Sequence, residues 1–86
     1  MKDELLSFPS AFPIKVMGRA APDFAEVVTR LIEERAGPLP PSAVSIRDSR
    51  DGNFLAVTVT FTATSRAQLD EIYETLSSHD RVLVVL

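Results

Sequence analysis

Apolar and polar positions change their period along this chain, and the changes mark out six elements. From Phe12 to Met17, the residues Phe12, Ile14 and Val16 alternate with Pro13, Lys15 and Met17, the pattern of a strand with one buried face, and Gly18 ends it. Pro22 and Asp23 open a helix, because proline suits a first turn and Asp23 with Glu26 has capping-box spacing. Phe24, Val27, Val28, Leu31 and Ile32 form its apolar stripe, and Gly37 with Pro38 stops it. After the proline-rich loop, Val44 and Ile46 alternate with Ser45 and Arg47, and Asp51-Gly52-Asn53 supplies the positive-φ tolerance of a hairpin turn. The return strand, Phe54–Ala63, puts Leu55, Val57, Val59, Phe61 and Ala63 on one face and Phe54, Ala56, Thr58, Thr60 and Thr62 on the other, which is the candidate open side. Ser65 and Gln68 form a second capping box ahead of a shorter helix with the stripe Leu69, Ile72, Tyr73 and Leu76. The run Val82-Leu83-Val84-Val85-Leu86 is too short for a helix and apolar on both faces, which predicts a last strand covered on both sides.

The order strand, helix, strand, strand, helix, strand predicts an α+β, ferredoxin-like βαββαβ sandwich, a four-stranded antiparallel sheet with two helices on one face. With 86 residues the chain has room for one domain, 1–86, whose residues 1–11 form an extended arm. Pro9 and Pro13 cannot donate to a central ladder, and Phe8 and Phe12 are placed over the core edge.

Charge and composition narrow the function. The chain carries 12 acidic and 9 basic residues, net −3, and its basic residues form no stripe along the sequence. That argues against nucleic acid, whose phosphates are met by clustered cations, and the open-side positions Met17, Thr58, Thr60 and Thr62 offer no stacking aromatics. The chain has no cysteine, which excludes disulfides and thiolate metal sites and fits a reducing compartment. Met1-Lys2-Asp3-Glu4-Leu5-Leu6 lacks the basic start and apolar run of a signal peptide, and no segment approaches the roughly 18 apolar residues of a membrane span. A cytoplasmic protein is expected, with no membrane partner, no metal and no cofactor. A chain this short buries about 60 to 65% of its unfolded surface, so ligands are expected at edges or subunit interfaces rather than in a large internal pocket.

Phe8-Pro9 with Phe12, Lys15-Val16-Met17-Gly18 followed by Ala20 and Pro22, Gly52-Asn53-Phe54, Leu69 with Ile72-Tyr73, and Val82 with Val85-Leu86 together resemble the YbeD-like family of bacterial proteins. The likeness covers nearly the whole chain. It implies a ferredoxin-like fold similar to ACT domains, modules that bind small effectors and regulate enzymes through paired copies, and it brings no catalytic residue. It also points to regulation connected with lipoate attachment. Phe54 stands where the resemblance leads to Tyr, which removes a phenol hydroxyl.

Three groups of residues are candidates for function. Gly18, Arg19 and Ala20 lie at the first strand-to-helix turn, where ACT-like modules bring an effector close to backbone amides; the same glycine also serves simply to make the turn. Lys15, Met17, Arg47, Phe54, Thr58 and Thr60 fall on the open side of the sheet and form either an interaction face or a solvated one. His79, beside Asp80, is either an acid-base group or, more simply, a cation at a helix C-terminus. Glu33-Glu34 and Asp70-Glu71-Glu74 read as solvated helix faces. The expected function is a non-enzymatic, ACT-like regulatory or adaptor module, a homodimer that binds a small effector or a partner enzyme. The alternative is an accessory factor or small enzyme in lipoate-related cofactor metabolism that uses Lys15 or His79.

Overall fold

The computed structural model describes residues 7–86; the reading of residues 1–6 as no signal peptide lies outside them. The elements follow as β1 (Ser10–Arg19), α1 (Phe24–Ala36), a single 3-10 turn (Pro41–Ala43), β2 (Val44–Asp48), β3 (Phe54–Ala63), α2 (Arg66–Ser77) and β4 (Val82–Val85). The sheet order is β2-β3-β1-β4 with every neighbouring pair antiparallel, the ferredoxin-like arrangement. No helix among the described residues is long and apolar enough to cross a membrane.

Strand parity decides which side chains are buried. Ile14 and Val16 of β1 and Val57, Val59, Phe61 and Ala63 of β3 meet Phe24, Val28 and Ile32 of α1 and Leu69, Ile72 and Leu76 of α2 in one core. Each of these residues is at most 4% exposed, and no polar or charged residue is buried with them among the described residues. Phe8 and Phe12 pack against this core as partly buried residues.

The helix ends show where local signals hold. Ser65 Oγ accepts the Gln68 N–H at 3.0 Å, while Gln68 Oε1 reaches back to the Thr64 N–H, one residue short of a full capping box. Asp23 occupies the N-cap of α1 but its side chain makes no cap hydrogen bond. Its carboxylate instead accepts both Nη groups of Arg81, at 3.0 and 2.7 Å, from the far end of the chain. A bidentate guanidinium outcompetes a single backbone N–H for the same two oxygens. Gly37 ends α1 at φ +86° with its N–H on the Glu33 carbonyl, and Gly52 takes φ +77° in the β2-β3 hairpin. In that turn Asp51 accepts from the Ser49 hydroxyl and the Asn53 N–H, which hold its carboxyl below the usual carboxylate range.

β1 begins at Ser10, so it takes in the last residues assigned to the arm and contains Pro13. Lys15 exchanges both backbone hydrogen bonds with Leu86. By the alternation of an antiparallel ladder, the backbone of Pro13 faces the same side, beyond the last residue of the neighbouring strand. The missing N–H of Pro13 therefore falls where no strand of the described residues lies.

One expectation is corrected. The terminal apolar run is covered on one side only, with Leu83, Val84 and Leu86 at 54, 43 and 63% exposure. The physical reason is position: β4 is an edge strand, and both helices lie on the Val82 and Val85 side. Pairing shifts between Met17 and Gly18, so Val84 faces Met17, Val82 faces Gly18, and Leu83 stands in the irregularity between them.

Candidate functional site: the open face of the sheet

The register assembles the face row by row. Arg47 lies opposite Ala56, Ala56 opposite Met17, and Met17 opposite Val84, so a single row crosses all four strands. The next row runs Ser45, Thr58, Lys15 and, through the paired backbone hydrogen bonds, Leu86. On the other side of Met17, Arg19 pairs with Phe54 and its guanidinium sits 5.9 Å from the centre of that ring, a contact worth about 0.5 to 1 kcal/mol when exposed. Met17, Phe54, Ala56 and Thr58 are half-buried, whereas Lys15, Arg19, Arg47 and Thr60 are exposed. The six residues predicted for an interaction face, Lys15, Met17, Arg47, Phe54, Thr58 and Thr60, are therefore brought together.

Two shallow depressions mark this surface. One of about 170 Å³ is lined by Lys15, Met17, Arg47, Asp48, Ser49, Phe54, Leu55 and Ala56. The other, about 230 Å³, is lined by Lys15, Ser45, Arg47, Ala56 and Thr58.

Charge on the face has one sign. Lys15, Arg19 and Arg47 occupy open-face positions of β1 and β2, and no strand position on that face carries a carboxylate. Asp48 ends β2 opposite Leu55, a helix-side position by parity, and at that strand end it also lines the 170 Å³ depression. Among the described residues these three cations make no ion pair. On the helix side the cations are answered: Arg30 by Glu26 at 2.7 Å, Arg35 by Glu71 at 3.6 Å, Arg66 by Asp70 at 4.0 Å and Arg81 by Asp23 at 2.7 Å.

Gly18, Arg19 and Ala20 do not converge on one pocket. Gly18 is buried, and a Cβ there would stand 2.5 Å from the Arg81 carbonyl oxygen and 2.5 Å from the Phe24 ring, so close packing accounts for the glycine. Ala20 spends its N–H on the Asn53 carbonyl. Arg19 belongs to the open face. Ala20 lines a separate open groove of about 420 Å³ between the start of α1 and β2, together with Ala21, Pro22, Ala25, Ile46, Asp48 and Leu55.

His79 is half-buried in the turn after α2, and its Nδ1 accepts the Arg81 N–H at 3.2 Å. Among the described residues no cluster of three or more His, Cys, Asp or Glu is placed to hold a metal ion.

Sequence reasoning placed Ala56 on the open side of β3 without choosing it for the interaction face, and it missed Arg19, Val84 and Leu86 as members of the face. For Arg19 the signal was present, since it shares parity with the chosen residues of its strand. For Val84 and Leu86 it was not, because a strand apolar at every position has no parity to read.

A family model described as "Protein of unknown function (DUF493)" matches residues 3–86. The UPF0250 protein of Chromobacterium violaceum is 45% identical over 85 residues, covering 99% of this chain and 96% of that one. The UPF0250 protein of Paraburkholderia phytofirmans is 43% identical over 86 residues, covering 100% and 97%. A UPF0250 protein of Bordetella pertussis is 42% identical over 85 residues, covering 99% and 93%. Among solved structures, the solution structure of protein HP0495 from H. pylori superposes with a TM-score of 0.75 at 17% identity, over 94% of this chain and 85% of that one. That likeness establishes the fold.

Proposed function

The chain belongs to the DUF493 family, the YbeD-like family that its sequence resembles, and on that footing we propose that it is a non-enzymatic regulatory or adaptor module that docks another protein on the open face of its sheet. The observation that carries this reading is the row Arg47, Ala56, Met17, Val84. It sets an apolar centre, continued by Leu86, among cations that no carboxylate of the described residues answers. Exposed apolar side chains gathered on one face and rimmed by polar groups have the make-up of an interaction surface.

An enzyme built on Lys15 or His79 has less support. Lys15 stands exposed on an open sheet, and the Nδ1 of His79 closes a turn. Association of two copies face to face would oppose Lys15, Arg19 and Arg47 of one to those of the other, so a homodimer is better served by the outer edge of β4, beside the exposed Leu83. A small anionic effector is the second reading, favoured by the presence of Lys15 and Arg47 in both depressions.

Photo-crosslinking in bacteria tests the proposal. A crosslinking amino acid at Ala56 is expected to give a discrete heavier adduct that disappears with Lys15→Glu and Arg47→Glu. The same group at Glu34, on the exposed side of α1, is expected to give none. No adduct from Ala56, or equal adducts from both positions, refutes docking on the face. An adduct of twice the chain's mass turns the reading to self-association.

A further inference from the structure

From the same face, and resting on the docking role just proposed, we infer that the partner presents an acidic protein surface in which carboxylates surround one apolar side chain. Two observations on the chain specify both halves of that surface.

The first is spacing. Lys15 and Arg19 flank Met17 at two residues on either side, which at strand rise places their Cα atoms roughly 13 Å apart with Met17 midway. Arg47 lies two strands away from Met17 in the same row, roughly 10 Å across the sheet. Lys15 and Arg47 line the Met17 and Ala56 depression, whose volume of about 170 Å³ suits an aliphatic side chain, and Arg19 stands beyond it over the Phe54 ring. An apolar residue seated there brings flanking carboxylates within reach of Lys15 and Arg47, on the side away from Asp48.

The second is what the rest of the molecule excludes. Nucleic acid also carries negative charge, but the net charge of the chain is −3 and Phe54 is the one aromatic residue among the strand positions of the face, with Arg19 already over its ring. An anionic bilayer would meet the same overall charge and a sheet surface that has no amphipathic helix to insert. A second copy, face to face, repels. A protein surface with localised carboxylates and an apolar anchor satisfies the cations and the depression together, and charge complementarity of this kind governs encounter rate and partner choice.

The test uses the full chain, isotopically labelled, with amide chemical shifts followed at Met17, Ala56 and Val84. The probes are a short peptide with one leucine flanked by glutamates, a matched peptide with alanine for leucine, and a matched peptide with lysines for glutamates. The first is expected to shift those amides at roughly millimolar concentration, and the alanine peptide to bind about tenfold more weakly. Added salt is expected to weaken the interaction, and Lys15→Glu and Arg47→Gln, checked for native spectra, are each expected to lower it several-fold. No response to the first peptide, or equal response to all three, overturns the inference. A stronger response of the same amides to single-stranded DNA or to vesicles of anionic phospholipid also overturns it, in favour of that ligand. A crosslink at Ala56 without any peptide response refutes the acidic partner and leaves the docking role standing, whereas a chain that gives no crosslink loses the docking role itself.

Discussion

The helical side and the open face of this molecule are lined by the same strands, yet they treat charge in opposite ways. Over the two helices, Glu26, Glu33, Glu34, Asp70, Glu71 and Glu74 accompany Arg30, Arg35 and Arg66, and each arginine has a carboxylate in reach. On the open face Lys15, Arg19 and Arg47 have none among the described residues. Exposed pairs contribute only about 0 to 1 kcal/mol each, so the pairing on the helical side is a minor term in stability. Its value as a contrast is greater: the helical side answers each of these arginines with a carboxylate of its own, whereas the open face leaves Lys15, Arg19 and Arg47 without one among the described residues. The folding energy comes from the shared boundary, where alternate residues of β1 and β3 pack under α1 and α2.

Alternating positions of β1 give the strongest way to break that contrast. Ile14→Ala removes a fully buried side chain and is expected to cost about 2 to 5 kcal/mol, while Lys15→Ala, one residue on, is expected to stay within about 0.5 kcal/mol. Urea unfolding of the two variants measures both, and a similar loss at each position would abolish the distinction between the faces. Gly18→Ala is the next largest, expected at about 1 to 3 kcal/mol, because the new methyl meets the Phe24 ring and the backbone of Arg81. In a domain of this size that lowers the melting temperature by at least about 4 °C. An unchanged melting temperature would show that the Phe24 and Arg81 packing yields freely.

The smallest effect sharpens the electrostatic side. The hydrogen bonds from Arg81 hold the Asp23 carboxyl below the usual carboxylate range. A depressed folded pKa means that the stabilisation is fully present above the unfolded carboxylate value, about 3.9, and is lost as pH falls through the folded value. Asp23→Asn is therefore expected to be less stable than the parent chain near neutrality, with the difference closing in acid below the folded pKa. Melting curves across that range check it, and a difference that persists undiminished at the lowest pH would assign the effect to packing.

The face was legible in the sequence wherever polar and apolar residues alternate. The threonines of β3 mark its outer side, and the parity of Lys15 with Met17 and the place of Arg47 in the hairpin follow from the same pattern. Two features were beyond such reading. Asp23 meets Arg81 across most of the chain, and capping spacing registers only local competitors for a carboxylate. The bare side of β4 depends on the sheet order, which leaves β4 at an edge with helices on one side, while an all-apolar strand looks the same whether one or both of its faces are covered.

Pro13 bears on a hazard common to open sheets, the recruitment of stray strands into aggregates. Among the described residues, β1 at Pro13 has no strand paired on the β4 side, a ladder edge on which another chain could grow. The first position an incoming strand would meet past Leu86 is Pro13, which offers no N–H, so the growing ladder loses a donor at its first step. The residue that makes β1 look least like an interior strand thereby guards a stretch with no neighbouring strand among the described residues, and it hinders the sheet from lengthening sideways there.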